Sequence, residues 1–309
     1  MNILHLKYAV EVAHAGSLSK ASDVLFIAQP NLSKAIKDLE SDLGITIFER
    51  TAKGMVPTAQ GQDFLRSAER ILREIRDLEN LYIHGAPERQ RFAISVPRAT
   101  YIATAFTRFS KQIAKDEAEI FYMETNPYKT ITNITDEDYR LGIVRSSESH
   151  EPLFLDAFAE KRLCHEELVK FRLRLAFSKD SPLAKLDEIR LSDLSGLIEI
   201  AHADPFVPNL PFVNVLRDEI TPMTKRRIFV FERASSLDLL AGNPETYMWS
   251  VSLPQGIEED KNLMIRECPE NTRTYKDILI YRSSYRFTDI DTLFIRELDA
   301  EIENTFKPL

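Results

Sequence analysis

The chain has 309 residues, 44% hydrophobic and 28% charged, a balance that excludes a fibrous or disordered protein and leaves room for two or three globular domains. No apolar run reaches the roughly 18 residues a membrane-spanning helix needs, and Met1-Asn2-Ile3-Leu4-His5-Leu6-Lys7 lacks the basic stretch and apolar core of a secretion signal, so a cytoplasmic protein with no membrane partner is expected. The formal net charge of −8 does not announce a nucleic-acid binder, but basic groups concentrated on one face would suffice, so the question is local.

Leu4, Tyr8, Val12 and Ala13 recur at helical intervals and predict a first helix ending near Gly16. Ser17 suits the N-cap of a second helix carrying Leu18, Ala21, Val24 and Leu25. After a break at Phe26-Ile27-Ala28, Pro30 fits the first turn of a third helix, where a backbone N–H needs no partner. Leu32, Ile36, Leu39 and Leu43 form its apolar stripe, and Gly44 ends it. On a helical wheel Pro30, Ser33, Lys34 and Lys37 fall opposite that stripe: two cations, a hydroxyl and no acid. Such a face could enter a DNA major groove, with Ser33 and Lys34 reaching base edges or phosphates. A three-helix domain with solvated lysines would show the same face. Ile45-Thr46-Ile47-Phe48 alternates like a short strand with Met55-Val56 as partner. The turn between them, with Arg50, Lys53 and Gly54, reads as a wing whose cations would contact phosphate.

These residues also carry a resemblance. Ala13-x3-Ser17-Leu18-Ser19-Lys20-Ala21-Ser22, then Ala28-Gln29-Pro30-Asn31-Leu32-Ser33-Lys34-Ala35-Ile36-Lys37-Asp38-Leu39-Glu40, then Leu43-Gly44-Ile45-Thr46-Ile47-Phe48-Glu49-Arg50 resembles the DNA-binding domain of the LysR family of bacterial transcriptional regulators. Pro57-Thr58-x2-Gly61 continues the pattern, and the match covers about the first 85 residues. Asn31 departs from it, standing where members usually have a small residue such as serine. The resemblance implies a winged helix-turn-helix over residues 1–58, with Gln29, Pro30, Ser33, Lys34 and Lys37 at or near the major groove and Arg50 and Lys53 on the DNA backbone. Phe48 is read as core, since an aromatic in a short apolar strand usually packs.

Between positions 58 and 84 helix formers dominate, and Phe64, Ala68, Ile71, Ile75, Leu78 and Tyr82 follow a 4-3-4-3-4 spacing close to a coiled-coil seam. Thr58 suits the N-cap and Gly85-x-Pro87 the stop. Residues 59–87 are therefore read as a linker helix that dimerises the chain, in preference to a stripe that packs on its own domain. Two copies would read a palindromic site, and the resemblance suggests a tetramer as a dimer of dimers.

Over residues 88–309 strand-like and helical segments alternate. Segments 91–96, 119–124 and 139–144 read as strands, and 100–113 and 128–134 as helices, an order that argues for a parallel sheet with helices on its faces. A second series runs from near Leu168 to about Leu263, and Ile278-Leu279-Ile280-Tyr281 with a helix from 289 to 306 closes the chain. The whole is of α/β class. The resemblance implies a two-lobed, periplasmic-binding-protein-like effector domain, lobe one at 88–163 and 269–309 and lobe two at 168–264. The family's glycine-rich stretch before its late Leu-Pro is absent, replaced by Trp249-Ser250-Val251-Ser252-Leu253-Pro254.

Ligands of open α/β sheets bind beyond the strands' C-terminal ends, which nominates Arg98 and Thr100, Thr125 and Asn126, Arg145, His202 and Ser235 for a small effector. Arg98 and Arg145 could grip a carboxylate, hence an anionic effector; each could equally be a surface arginine, and Ser235 a mere helix cap. Cys164 and Cys268 are placed near the two crossings between lobes, where a redox-sensitive bond competes with the commoner fate of two buried thiols. No G-x-G-x-x-G, phosphate loop or H-E-x-x-H occurs, and the six histidines lack ligand spacing, so neither enzyme, metal site nor cofactor is expected. The expected partners are double-stranded DNA, further copies of the chain, a small-molecule effector and, in addition, RNA polymerase. The competing reading is a DNA-binding regulator whose C-terminal domain only mediates oligomerisation.

Overall fold

The computed structural model describes residues 2–51, 54–82, 90–113, 118–253 and 256–306, and the chain divides into two units, Met1–Arg89 and Gln90–Leu309, each with its own core. Lys53, the stop signal Gly85-x-Pro87, the end of the linker helix at 83–84 and Pro254 lie outside the described residues.

In the first unit, α1 (Ile3–Ala15), α2 (Leu18–Val24) and α3 (Gln29–Leu43) are followed by a hairpin of β1 (Phe48–Thr51) and β2 (Gly54–Pro57), then α4 (Ala59–Tyr82). Short-range chemistry sets the helix ends. Asn2 caps α1 by accepting from Leu4 N, and Gly16 and Gly44 close α1 and α3 in the left-handed conformation that glycine adopts without strain. Leu6, Ala9, Val12, Leu32, Ile36 and Leu39 meet in the core with Ile47 and Phe48, whereas Leu4 and Val24, assigned above to apolar stripes, are exposed.

The wing begins later than its alternation suggested. Ile47 N and Phe48 N both donate to Glu40 Oε1 (2.7 and 3.1 Å), so the first half of the expected strand is held by a side chain of α3, and pairing starts at Phe48. Arg50 therefore sits inside β1, opposite Met55, rather than in the turn.

α4 starts as read: Thr58 Oγ1 accepts from Gly61 N and itself donates to Thr46 O. Its seam is only partly free, however. Leu65, Ala68 and Leu72 are buried against the first unit's own core, with Phe64 and Ile71 packed beside them. In the second half of α4 the side chains described are those of Ile71, Leu72, Ile75 and Glu79, so Leu78 and Tyr82 of the expected seam fall outside.

The second unit opens with β3 (Gln90–Val96), α5 (Thr100–Ser110), β4 (Ala118–Glu124), α6 (Pro127–Asp136), β5 (Leu141–Ser147), α7 (Glu151–Glu160) and β6 (Leu163–Arg172). Next come β7 (Arg174–Ser178), β8 (Ile198–His202), α8 (Phe212–Glu219), β9 (Arg226–Val230), α9 (Arg233–Gly242), β10 (Thr246–Ser250), α10 (Ile257–Asp260) and β11 (Leu263–Arg266). β12 (Thr274–Arg282) and α11 (Asp289–Thr305) end it. Two five-stranded sheets result, in the orders β4-β3-β5-β12-β6 and β11-β7-β10-β8-β9. The parallel βαβ core of each is flanked by antiparallel strands, where the chain crosses between lobes and returns.

Three expectations are corrected here. β6 pairs with β12 along its full length, so residues 163–172, including Leu168 and Val169, belong to the first sheet, and the crossing falls at Leu173 rather than before 168. β5 runs on to Ser147 because β12 continues to pair with it, so Arg145 and Ser146 lie within the strand, not after it. Cys164 sits opposite Tyr281 at the far end of β6, eight residues from the crossing, while Cys268 is buried in the second lobe's core beside Leu175 and Tyr247. Eight extended residues span roughly 26 Å, against the about 7 Å that a disulfide tolerates between Cα atoms. Treating the protein with diamide is thus expected to form no intramolecular Cys164–Cys268 bond, and a cross-linked peptide pair in mass spectrometry would contradict this placement.

Candidate functional site

α3 presents its outer face as the wheel required. Gln29, Pro30, Asn31, Lys34 and Lys37 are exposed and Ser33 is half-buried, while Leu32, Ala35, Ile36 and Leu39 turn inward. The first acid on the helix is Asp38, so its first nine residues offer amide, hydroxyl and ammonium groups only. Arg50 is exposed on β1. Asn31 is as open as its neighbours, and joins a surface from which the sequence reading had left it out.

The second unit encloses a cavity of about 180 Å³ between its two lobes. Arg98, Thr100, Thr125, Asn126, Arg145 and His202 all reach its wall, contributed by the C-terminal ends of β3, β4, β5 and β8 and the turns after them. Ser235 does not. It is an exposed residue inside α9 whose Oγ donates to Glu232 O, and the neighbouring Ser236, one helical step round, is the one that lines the cavity.

The two arginines are already engaged. Arg98 donates two 3.0 Å bonds to the carboxylate of Asp204, across from one lobe to the other, and Asn126 Nδ2 donates to Asp204 O. Arg145 donates to both oxygens of Asp277 (2.8 and 2.6 Å), directly opposite it on β12, and lies over the ring of Phe171. Tyr101 OH also donates to Asp277, and its burial, then that neighbouring acid, hold the phenol far above the usual range, so it remains a donor. A second tie between the lobes joins Arg233 to Glu124. The free bidentate clamp expected for a carboxylate effector is thus closed by the protein's own acids.

His202 is neutral: burial and then the Arg98 cation push its pKa down to about 4, and its Nδ1 has no hydrogen-bond partner among the described residues. Other wall residues escaped the sequence reading. Glu219, at the end of α8, accepts 3.0 Å from Tyr275 OH, and burial raises its pKa against the pull of Arg273. α8 reaches this position because Val207, Leu210 and Val215 pack into a core with Ile131, Ile134 and Phe154 of the first lobe. Asp277 had one legible signal, a lone acid entering the apolar run Ile278-Leu279-Ile280; Glu219 had none. Ser147 Oγ lies 3.0 Å from His150 Nδ1 and Asp218 lies 3.6 Å from His150 Nε2, but the last distance is no hydrogen bond and Ser147 is buried, so the three form no continuous relay.

Residues 3–62, which hold α3, the hairpin and the start of α4, match the model of the family described as "Bacterial regulatory helix-turn-helix protein, lysR family". The N-terminal unit thus carries a helix-turn-helix domain of the lysR family. Among curated relatives, the "HTH-type transcriptional regulator ClcR" of Pseudomonas putida is 32% identical over 173 residues, a match that spans 47% of the chain and 58% of ClcR. The chain is thus aligned with little more than half of that relative's length. Two solved structures share the fold along nearly the whole chain. LysG of Corynebacterium glutamicum, determined with bound effector Arg, has a TM-score of 0.60 at 13% identity and covers 100% of both chains. CbnR in complex with its target DNA has a TM-score of 0.58 at 17% identity, covering 97% of this chain and 100% of CbnR.

Proposed function

We propose that this chain is a LysR-family, sequence-specific DNA-binding transcriptional regulator, not an enzyme, whose second unit takes a small effector between its two lobes. The acid-free outer face of α3 carries this reading. In it Gln29, Pro30, Ser33, Lys34 and Lys37 meet the major groove, where amide and cationic side chains can read base edges, and Arg50 and Lys53 grip phosphate. ClcR by name, and CbnR by its complex, support the assignment. The chain acts as a homodimer through the part of α4 that its own core leaves free, and pairs of dimers give the tetramer.

The effector reading rests on Arg98, Thr100, Thr125, Asn126, Arg145 and His202 sharing one wall, and on LysG having been solved with an effector. A ligand there acts on the Arg98–Asp204 and Arg233–Glu124 ties and so biases how the lobes pack, which by linkage alters DNA affinity. The competing reading, an assembly module without a ligand, draws support from those same internally satisfied arginines. A thermal-shift panel of metabolites separates the two: a reproducible rise in Tm favours the effector, and silence across the panel favours the module.

Lys34→Ala tests the DNA surface. On duplexes selected from a random library by the wild-type protein, the variant is expected to bind roughly tenfold more weakly, about 1.4 kcal/mol, with an unchanged melting curve. Equal affinity in a gel-shift titration would remove Lys34 from the interface.

A further inference from the structure

Beside the inter-lobe cavity lies a larger one of about 310 Å³, and the common wall of the two includes Leu173, His202, Glu219, Met248, Trp249 and Tyr275. Charge is distributed unevenly along this joint space. Each wall arginine of the inter-lobe cavity has a carboxylate in contact: Arg98 has Asp204, Arg145 has Asp277 and Arg233 has Glu124. His202 adds no positive charge near neutrality. The acid on the shared wall is the exception. Among the described residues Glu219 forms no salt bridge; one oxygen accepts the Tyr275 hydroxyl and the other accepts nothing and is not sealed from the cavity. Arg273, whose Nη1 donates to Tyr275 OH at 3.3 Å, is exposed at the rim, and His150 and Asp218 are the other charged or titratable groups near Glu219.

We propose that the ligand of this joint cavity carries a protonated nitrogen, an ammonium or amidinium, seated on Glu219, with its apolar body against Trp249, Met248 and Leu173. This deepens the effector reading and rests on it. A half-buried carboxyl without a salt bridge loses part of its hydration on folding, and a ligand cation restores the lost stabilisation through charge-assisted hydrogen bonds. The Trp249 ring adds a face that attracts cations. The expectation of an anionic effector is thereby reversed, because the cations that prompted it are occupied.

Three probes of one shape test the sign of the charge on the full-length protein at pH 7: phenethylamine, 3-phenylpropionate and 3-phenylpropan-1-ol, by thermal shift and titration calorimetry. The amine alone is expected to raise Tm, and Glu219→Gln, which keeps size and the Tyr275 contact, is expected to weaken its Kd at least tenfold. The comparison within the wild-type protein stands even if that variant fails to fold. Stabilisation by the carboxylate or alcohol equal to that by the amine overturns the charge assignment while leaving the effector reading intact, as does amine binding that survives Glu219→Gln. Silence from all three probes also overturns the proposal, and the wider metabolite panel then judges the effector reading separately.

Discussion

Gly61→Ala is expected to destabilise the N-terminal unit by about 3 kcal/mol, the upper end of what overpacking costs. A Cβ at position 61 would stand 2.0 Å from Ile47 O and 2.8 Å from Ile47 C, both backbone atoms that cannot rotate away. Relief would require α4 to lift off the loop before the wing, yet that junction is tied by Thr58 N donating to Ile47 O, Thr58 Oγ1 donating to Thr46 O and Gly61 N donating to Thr58 Oγ1. Lifting α4 also strips Leu65, Ala68 and Leu72 from the core. Scanning calorimetry of the full chain checks this. A first transition at its wild-type temperature would show that the helix does not approach the loop so closely.

Arg145→Met is expected to cost about 3–5 kcal/mol and to lower the melting temperature of the second unit by about 10 °C. Asp277 is wholly buried, and the guanidinium supplies two of its hydrogen bonds and its counter-charge. Methionine fills the space over Phe171 but leaves an ionised carboxylate with only the Tyr101 hydroxyl. The double variant Arg145→Met with Asp277→Asn removes the stranded charge and is expected to regain much of the loss, since partners in one pair are not additive. A single variant within 1 kcal/mol of wild type in urea denaturation, a figure of the order of a surface pair, would show that the pair is not isolated from water as its geometry implies.

The outer face of α3, the proposed DNA surface, was largely legible in the sequence because it depends on one helix. The spacing of Leu32, Ile36 and Leu39 places Lys34 and Lys37 outward whatever the rest of the chain does. The inter-lobe cavity was legible only in its positions. Arg98, Thr125 and His202 stand at strand ends and so reach the cavity, but nothing near Arg98 or Arg145 announces that its carboxylate comes from 106 or 132 residues away. At the start of α9 one helical step decided which serine lines the cavity, Ser236 rather than Ser235.

By itself, then, the amino-acid order determined what is settled within a few residues: helix caps at Asn2, Gly16 and Gly44, the wheel of α3, and the strand–helix alternation of the two lobes. Tertiary structure alone decided the charge of the cavity. The pairing of Asp277 with Arg145 follows from the register of β12 on β5, and a slip of one residue would have turned that acid to the other face of the sheet. Register is a sum over many distant contacts, so no local window of sequence contains it. For the same reason Arg98 and Arg145 could be named in advance, while Arg233, the acids that pair with these cations and the unpaired Glu219 could not.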